Sequence, residues 1–348
     1  MSLQIRVEKS GGDFSSLQEA INAVPFEESA VITIGEGVFR EKIFCEKRDI
    51  TLIGQGVDKT VINYDDYANE VMDDGCKRGT FRSYTAFFGG SKVHVKDMTI
   101  RNSAGDGRAV GQAIAVYADA DICFFENVKM TGCQDTLFCA PLPRQERQKN
   151  GFMGPRVLTE RRLTRQYYKG CTITGDVDFI FGGADAVFDD CTIICNDRMH
   201  SAFTDEVVLT GTAKSPLDKD QIDTRERFIN GYITAACGLK EDLGFVFRNC
   251  CIGGADGCEP GSVFLGRPWR DEARTVFLNC TMDETIAPER FSGWGGISVE
   301  HPDTYYGENG TLGNTNLSRK NPWVRDIDAA TAADISTRAD EIIKECMK

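Results

Sequence analysis

The segment GDVDFIFGGADAVFDDC, residues 175–191, sets Asp178 between Val177 and the run Phe179, Ile180, Phe181. A carboxylate among large apolar groups loses hydration and is harder to ionise unless a cation or hydrogen-bond donors compensate. In a strand whose alternate residues face water, the same Asp178 is an ordinary solvated acid. Four other segments carry residues that could act with it. GQAIAV (111–116) holds Gln112, GCQDTLF (132–138) holds Gln134 and Asp135, LGRPWR (265–270) holds Arg267 and Trp269, and YYGENG (305–310) follows. Gathered in one place, two carboxylates, two amides and a guanidinium could exchange protons and stabilise charge. Each also has a plain structural reading: the glutamines as a ladder within a repeat, Arg267 and Asp178 as a structural ion pair, Trp269 as packing against a loop. The fold decides between these.

A short phrase recurs along the chain: KDMTI (96–100), ENVKM (126–130), KGCTI (169–173), DDCTI (189–193), RNCCI (248–252) and LNCTM (278–282). Its middle positions, 98, 128, 171, 191, 250 and 280, are separated by 30, 43, 20, 59 and 30 residues. Such spacings suit a solenoid with insertions, and the β-rich phrases punctuated by Gly and Asn give one short strand per turn. An all-β chain with Cys and Ile stacked inside such turns is a parallel β-helix. Equivalent positions of successive turns share one face, which places the residues above within reach of one another.

A solenoid must cover its apolar ends. FSSLQEAINAV (14–24) predicts an N-terminal capping helix, with Ser15 and Gln18 at capping-box spacing and Leu17, Ala20, Ile21 and Val24 on one apolar face. DAATAADISTRADEIIKECMK (328–348) predicts a C-terminal helix. No linker or second composition class divides residues 1–348, which predicts one elongated domain with insertions near 141–165 and 196–230. Segment 141–169 carries eight basic residues against Glu146 and Glu160.

The totals narrow the function. A net charge of −13 disfavours nucleic acid and anionic membranes. No run of 18 apolar residues is present, and the N-terminus MSLQIRVEKSGGDF lacks an apolar signal region. The expectation is therefore a cytoplasmic protein, or a secreted one if a leader preceding this start has been removed. The 14 cysteines form no CxxC pair, and the three histidines are far apart, so no metal site or cofactor is expected. Most cysteines read as reduced, small apolar core residues.

QDTL, VDFIFG and LGRPW in this order, together with GGDFSSLQEAINAVP, VFREKI, ITLIGQG and RNSAG, resemble the pectin methylesterase (pectinesterase) family. The resemblance runs through most of the chain and implies a right-handed parallel β-helix, acting as a monomer on methylated polygalacturonate or oligogalacturonides. It implies that Asp178 is the nucleophile, Asp135 the general acid and base, Gln112 and Gln134 the oxyanion hole, and Arg267 the group that holds Asp178. Thr80, Phe138, Phe181 and Trp269 fall at positions resembling the family's sugar contacts. Ester hydrolysis needs such a set: a nucleophile at the carbonyl carbon, a donor for the oxyanion and a proton for methanol. Phe138 stands where the family commonly has Tyr, so a hydroxyl contact is lost there. Asp135 and Asp178 are 43 residues apart, wider than in compact members, the excess being the basic segment.

That segment predicts an overhang, residues 144–165, in which Arg161 and Arg162 recognise free galacturonate carboxylates; a solvated positive face with no ligand is the alternative. Other classes fit less well. A serine esterase lacks its GxSxG elbow. A polygalacturonase lacks NTD and GHG, and a pectate lyase would depend on calcium and give an unsaturated product. A binding module would hold pectin and release no methanol.

Overall fold

The computed structural model describes residues 2–200, 222–223, 227–296, 299–314, 317 and 320–348. Seven short strands stack in parallel as one sheet in chain order: Ile43–Cys45, Ala86–Phe88, Val116–Ala118, Leu137–Cys139, Val177–Gly182, Gly231–Ala236 and Val263–Gly266. Two further parallel ladders run beside it. They are joined through the long strands Lys92–Asn102 and Ile122–Thr131, each of which pairs in both. Three ladders wound by one chain make a parallel β-helix, the architecture expected from the repeated phrase. The short pair Ile222–Asp223 and Arg227–Phe228 is the antiparallel exception among the described strands.

The phrase marks a corner. Asp97, Asn127, Gly170, Asp190, Asn249, Asn279 and Gly310 have φ between +50° and +68°. A single left-handed residue turns the chain from one ladder to the next, and Asn, Asp and Gly are the types that tolerate this conformation. The next residue then points inward: Met98, Val128, Cys171, Cys191, Cys250 and Cys280 are all buried, as are Ile100, Met130, Ile173, Ile193, Ile252 and Met282 two positions later. Like residues fall on like because the ladders are in register. Phe125, Tyr168, Phe188, Phe247 and Phe277 form an internal column with ring centroids 4.4–5.1 Å apart, matching the spacing of neighbouring strands. All 14 cysteines are free, and ten of them are buried.

The helix Leu17–Ala23 covers the N-terminal end, burying Leu17, Ala20 and Ile21. Its cap is Ser16, whose Oγ accepts from the Glu19 amide, so the Ser-x-x-Glu pair one residue later wins over Ser15 and Gln18. Gln18 instead bonds the backbone of Phe44. The C-terminal helix Ala329–Cys346 starts at its cap Asp328. It packs Ile335, Ala339 and Cys346 against Phe124, Tyr167 and Val246 on the outside of a ladder, tied there by Arg165–Glu345 and Arg248–Asp340 ion pairs. The excursion between Cys139 and Arg165 carries no helix or strand. The second expected insertion, 196–230, lies largely outside the described residues. No helix is long and apolar enough to cross a membrane among the described residues.

Candidate active site

The seven-stranded sheet brings the separated motifs together. Leu137 pairs with Ile180, so Asp135 and Asp178 occupy equivalent positions on adjacent turns, each two residues before its partner. Both are left-handed, at φ +64° and +53°, and both are buried. The register against Gly231–Ala236 shifts between Val177 and Ile180, a bulge containing Asp178 and Phe179. A bulge re-aims a side chain off the regular sheet surface. That explains how an acid within an apolar run escapes the core: Phe179 is fully buried, whereas Asp178 faces a cleft.

The cleft has a volume of about 290 Å³ and brings together Gln112, Gln134, Asp135, Asp178 and Arg267 with Thr80, Phe181 and Trp269. Arg267 donates Nε to Asp178 Oδ1 and Nη2 to Oδ2, both at 2.9 Å, a two-pronged pair that fixes the plane of the carboxylate. The guanidinium lies between the rings of Tyr232 and Trp294, 4.2 and 4.4 Å from their centroids. Stacking and ion pairing together hold the arginine at one orientation.

Asp135 lies deeper. Its carboxyl titrates well above the usual carboxylate range because burial penalises the charged form, and the neighbouring charge of Asp178 adds to this while Arg267 opposes it. Two carboxyl groups on adjacent turns are thus set apart, one paired with a cation and one favouring its proton. The glutamines are positioned by the coil: the Gln112 carbonyl accepts from the Ala68 amide and the Gln134 carbonyl from the Ala113 amide. Gly107 permits the seat of Gln134, since a Cβ there would lie 2.7 Å from the Gln134 side chain. Asp176, behind the site, accepts from the Val177 amide and faces Arg198 at 3.9 Å; burial raises its pKa to about 6.

Phe138 does not reach the cleft. It is fully buried beneath Phe81 and Phe181, with ring centroids 5.0 and 4.8 Å away, and supports them from behind. A hydroxyl in its place would have no opening to a ligand. The excursion does form a wall, but through Arg147, Gln148, Gly151 and Phe152. Arg161 does not line the cleft: it donates to the carbonyls of Arg156 and Thr159, with its guanidinium 5.9 Å from the Phe152 ring centroid, and the exposed Arg162 faces Asp121 at 3.7 Å. The reason is that Arg156 docks on Asp119 and Glu46, which fixes the following residues against the outside of the coil.

Sequence reasoning missed Tyr232, Trp294 and Arg270. Trp294 lies in FSGWGG, and a lone tryptophan among glycines was the available signal. His301 has two partners: its Nδ1 lies 3.0 Å from Asp271 Oδ1, and its Nε2 accepts from the Trp294 amide at 3.1 Å. Accepting at Nε2 places the proton on Nδ1, toward Asp271. The histidine positions the tryptophan that stacks on Arg267. Among the described residues no group of three His, Cys, Asp or Glu side chains is placed to hold a metal ion.

The pectinesterase family model matches residues 4–149, 161–236 and 211–335. The chain is 32% identical over 340 residues to probable pectinesterase/pectinesterase inhibitor 64 of Arabidopsis thaliana, covering 93% of this chain and 48% of that protein, so it spans about half the length of this relative. It is 31% identical to probable pectinesterase 8 of the same plant, covering 94% of this chain and 72% of that protein. Among solved structures, the pectin methylesterase from carrot superposes with a TM-score of 0.72 at 25% identity, over 94% of this chain and 89% of that one. The chain belongs to the pectinesterase family.

Proposed function

We propose that this protein is a carboxylic ester hydrolase that removes methyl esters from galacturonate units of pectin or pectic oligosaccharides and releases methanol. The observation that carries the proposal is the pair of stacked left-handed aspartates, one clamped by Arg267 and the other buried so that its pKa is raised.

In this reading an oxygen of Asp178 attacks the ester carbonyl carbon. Negative charge develops on the carbonyl oxygen, where the side-chain amides of Gln112 and Gln134 donate to it; one such donor typically contributes about a hundredfold or more in rate. The bond to methoxide breaks as Asp135 gives up its proton, so methanol leaves neutral and an acyl-enzyme anhydride remains on Asp178. Asp135, now charged, takes a proton from water, whose oxygen attacks the galacturonyl carbon. The anhydride opens, Asp178 regains its carboxylate, and Asp135 is protonated for the next cycle. Burial suits Asp135 to this work, because a carboxyl group with a raised pKa is protonated when the donor is needed. Thr80, Phe181 and Trp269 on the cleft wall would contact the sugars, with the half-buried indole of Trp269 offering an apolar face.

The test is methanol release from highly methylated pectin and from short methylated oligogalacturonides, in EDTA, by the wild type and Asp178→Ala. Release by the wild type alone supports the proposal. Absence of release by the folded wild type from both substrates, or equal release by the variant, rejects it.

A further inference from the structure

The two rings that grip Arg267 are held very differently. Tyr232 belongs to the strand Gly231–Ala236, is buried, and stacks on Phe264 of the next turn at 5.5 Å. Trp294 is half-buried and lies outside any strand, in a loop, 293–296, that is otherwise glycine, with Gly295 at φ +118°. Glycine has little preference for one backbone shape, so the loop needs outside contacts to fix the indole. Its entrance is tied by the Ser292 amide to the Gly266 carbonyl at 3.0 Å, and the Gly296 amide closes it on the Gly293 carbonyl at 3.3 Å. The tryptophan itself is tied through its amide to His301 Nε2. His301 is anchored in turn by Asp271 at Nδ1. Thr304 secures the same corner, donating its amide to the His301 carbonyl at 3.2 Å and its hydroxyl to the Asp271 carbonyl at 2.8 Å. A line of contacts therefore runs from Asp271 through His301, Trp294 and Arg267 to Asp178.

This line is intact in one protonation state only. Nε2 accepts from the Trp294 amide while it carries no proton. A second proton leaves the bond to Asp271 in place but sets Nε2–H against another N–H donor, and the contact opens. Asp271 is the charged group touching the ring, and Arg270 acts electrostatically on Asp271. Arg147 and Arg267 stand 5.4 and 4.4 Å from the Trp294 ring centroid, and the exposed Glu300 and Asp303 flank His301 in sequence. A charged imidazolium would join three guanidinium groups already at this side of the cleft.

We propose that His301 is a positioning residue for the reaction: its neutral ring, protonated at Nδ1, holds Trp294 against Arg267 and so keeps Asp178 aimed, and a second proton releases the tryptophan and slows turnover. The proposal rests on the esterase reading of the site.

Histidine ordinarily changes charge between pH 5 and 8, and methanol release across that range reads the link. Wild-type kcat should fall as the pH drops. His301→Ala, which removes the acceptor, should lose about tenfold in kcat at neutral pH. His301→Gln, whose amide oxygen accepts at every pH, should recover most of that loss and flatten the acid-side fall, while His200→Gln should keep the wild-type profile. A second readout needs no turnover. In protein labelled with 15N-tryptophan, the Trp294 backbone amide resonance, identified by its absence from Trp294→Phe, should move with pH in the wild type and stay fixed in His301→Gln. An undiminished acid-side fall in His301→Gln, or a Trp294 amide that moves there as in the wild type, overturns the proposal. A Trp294 amide whose pH response is abolished in His301→Gln, in an enzyme that releases no methanol, keeps the His301 link and overturns the esterase reading.

Discussion

The same backbone device appears at two places in this coil with opposite results. At the repeating corner, Asn127, Asp190, Asn249 and Asn279 adopt left-handed φ of +50° to +54° in exposed positions and merely turn the chain. On the site face, Asp135 and Asp178 adopt it at +64° and +53°, but buried, with a carboxyl group directed to a cleft. The conformation is shared and the surroundings differ. At the corner, water solvates the polar side chain and the residue is exchangeable among the types that tolerate positive φ. In the cleft, the same geometry gives one carboxylate clamped by an arginine and one carboxyl whose pKa is raised by burial and a neighbouring charge.

Mutations can break this contrast. Asp178→Ala should reduce kcat by about 10⁴-fold or more, as removal of a nucleophile does, whereas Asp190→Gly at the corner should leave methanol release at the wild-type level; equal effects would dissolve the distinction. Asp135→Asn should cost about 10³-fold in kcat, within the range for a positioned acid, yet make the protein melt higher. The sign follows from linkage. The folded-state pKa of Asp135 is raised, so folding disfavours its charged form, and the resulting loss of stability grows as pH climbs from the ordinary carboxyl value through the raised one. Tm of Asp135→Asn should match the wild type at pH 3 and exceed it at pH 8, by calorimetry. Wild-type kcat/KM should likewise decline on the alkaline side as Asp135 loses its proton.

Smaller effects sharpen the comparison. Gln134→Ala should lower kcat about a hundredfold with little change in KM, the pattern of a contact made only in the transition state. Arg267→Ala leaves the buried Asp178 carboxylate unpaired, which should cost about 3 kcal/mol in urea unfolding beyond any loss of rate. Smallest is Asn249→Ala at the corner: about 1–2 kcal/mol of stability from a side chain forced left-handed, with kcat unchanged. A fall in kcat there would show that the corners are coupled to the site.

The repeat was legible because ladders in register demand the same residue type on every turn, so Cys-x-Ile wrote the interior directly into the sequence. Asp135 and Asp178 were legible as motif members, but not their shared left-handed conformation or the raised pKa of Asp135, which arise from stacking and burial. The helix cap was misplaced by one residue because FSSLQEA contains two overlapping Ser-x-x-Glu/Gln pairs, and only the contact with Glu41 separates them. Arg161 and Arg162 were misjudged because charge alone does not reveal direction; Arg156 docking on Asp119 set it. Trp294 and His301 lie beyond the last family motif, joined to the site by a fold-back that no local pattern announces.

The sandwich around Arg267 also makes the molecule its own optical instrument. Of its three tryptophans, Trp269 and Trp294 line the cleft, while Trp323 packs on Tyr306 at the core. An indole against a guanidinium emits according to what displaces water or charge beside it. Two emitters therefore respond to whatever enters the cleft while the third provides a constant internal reference, and occupancy is readable by fluorescence in the unlabelled protein.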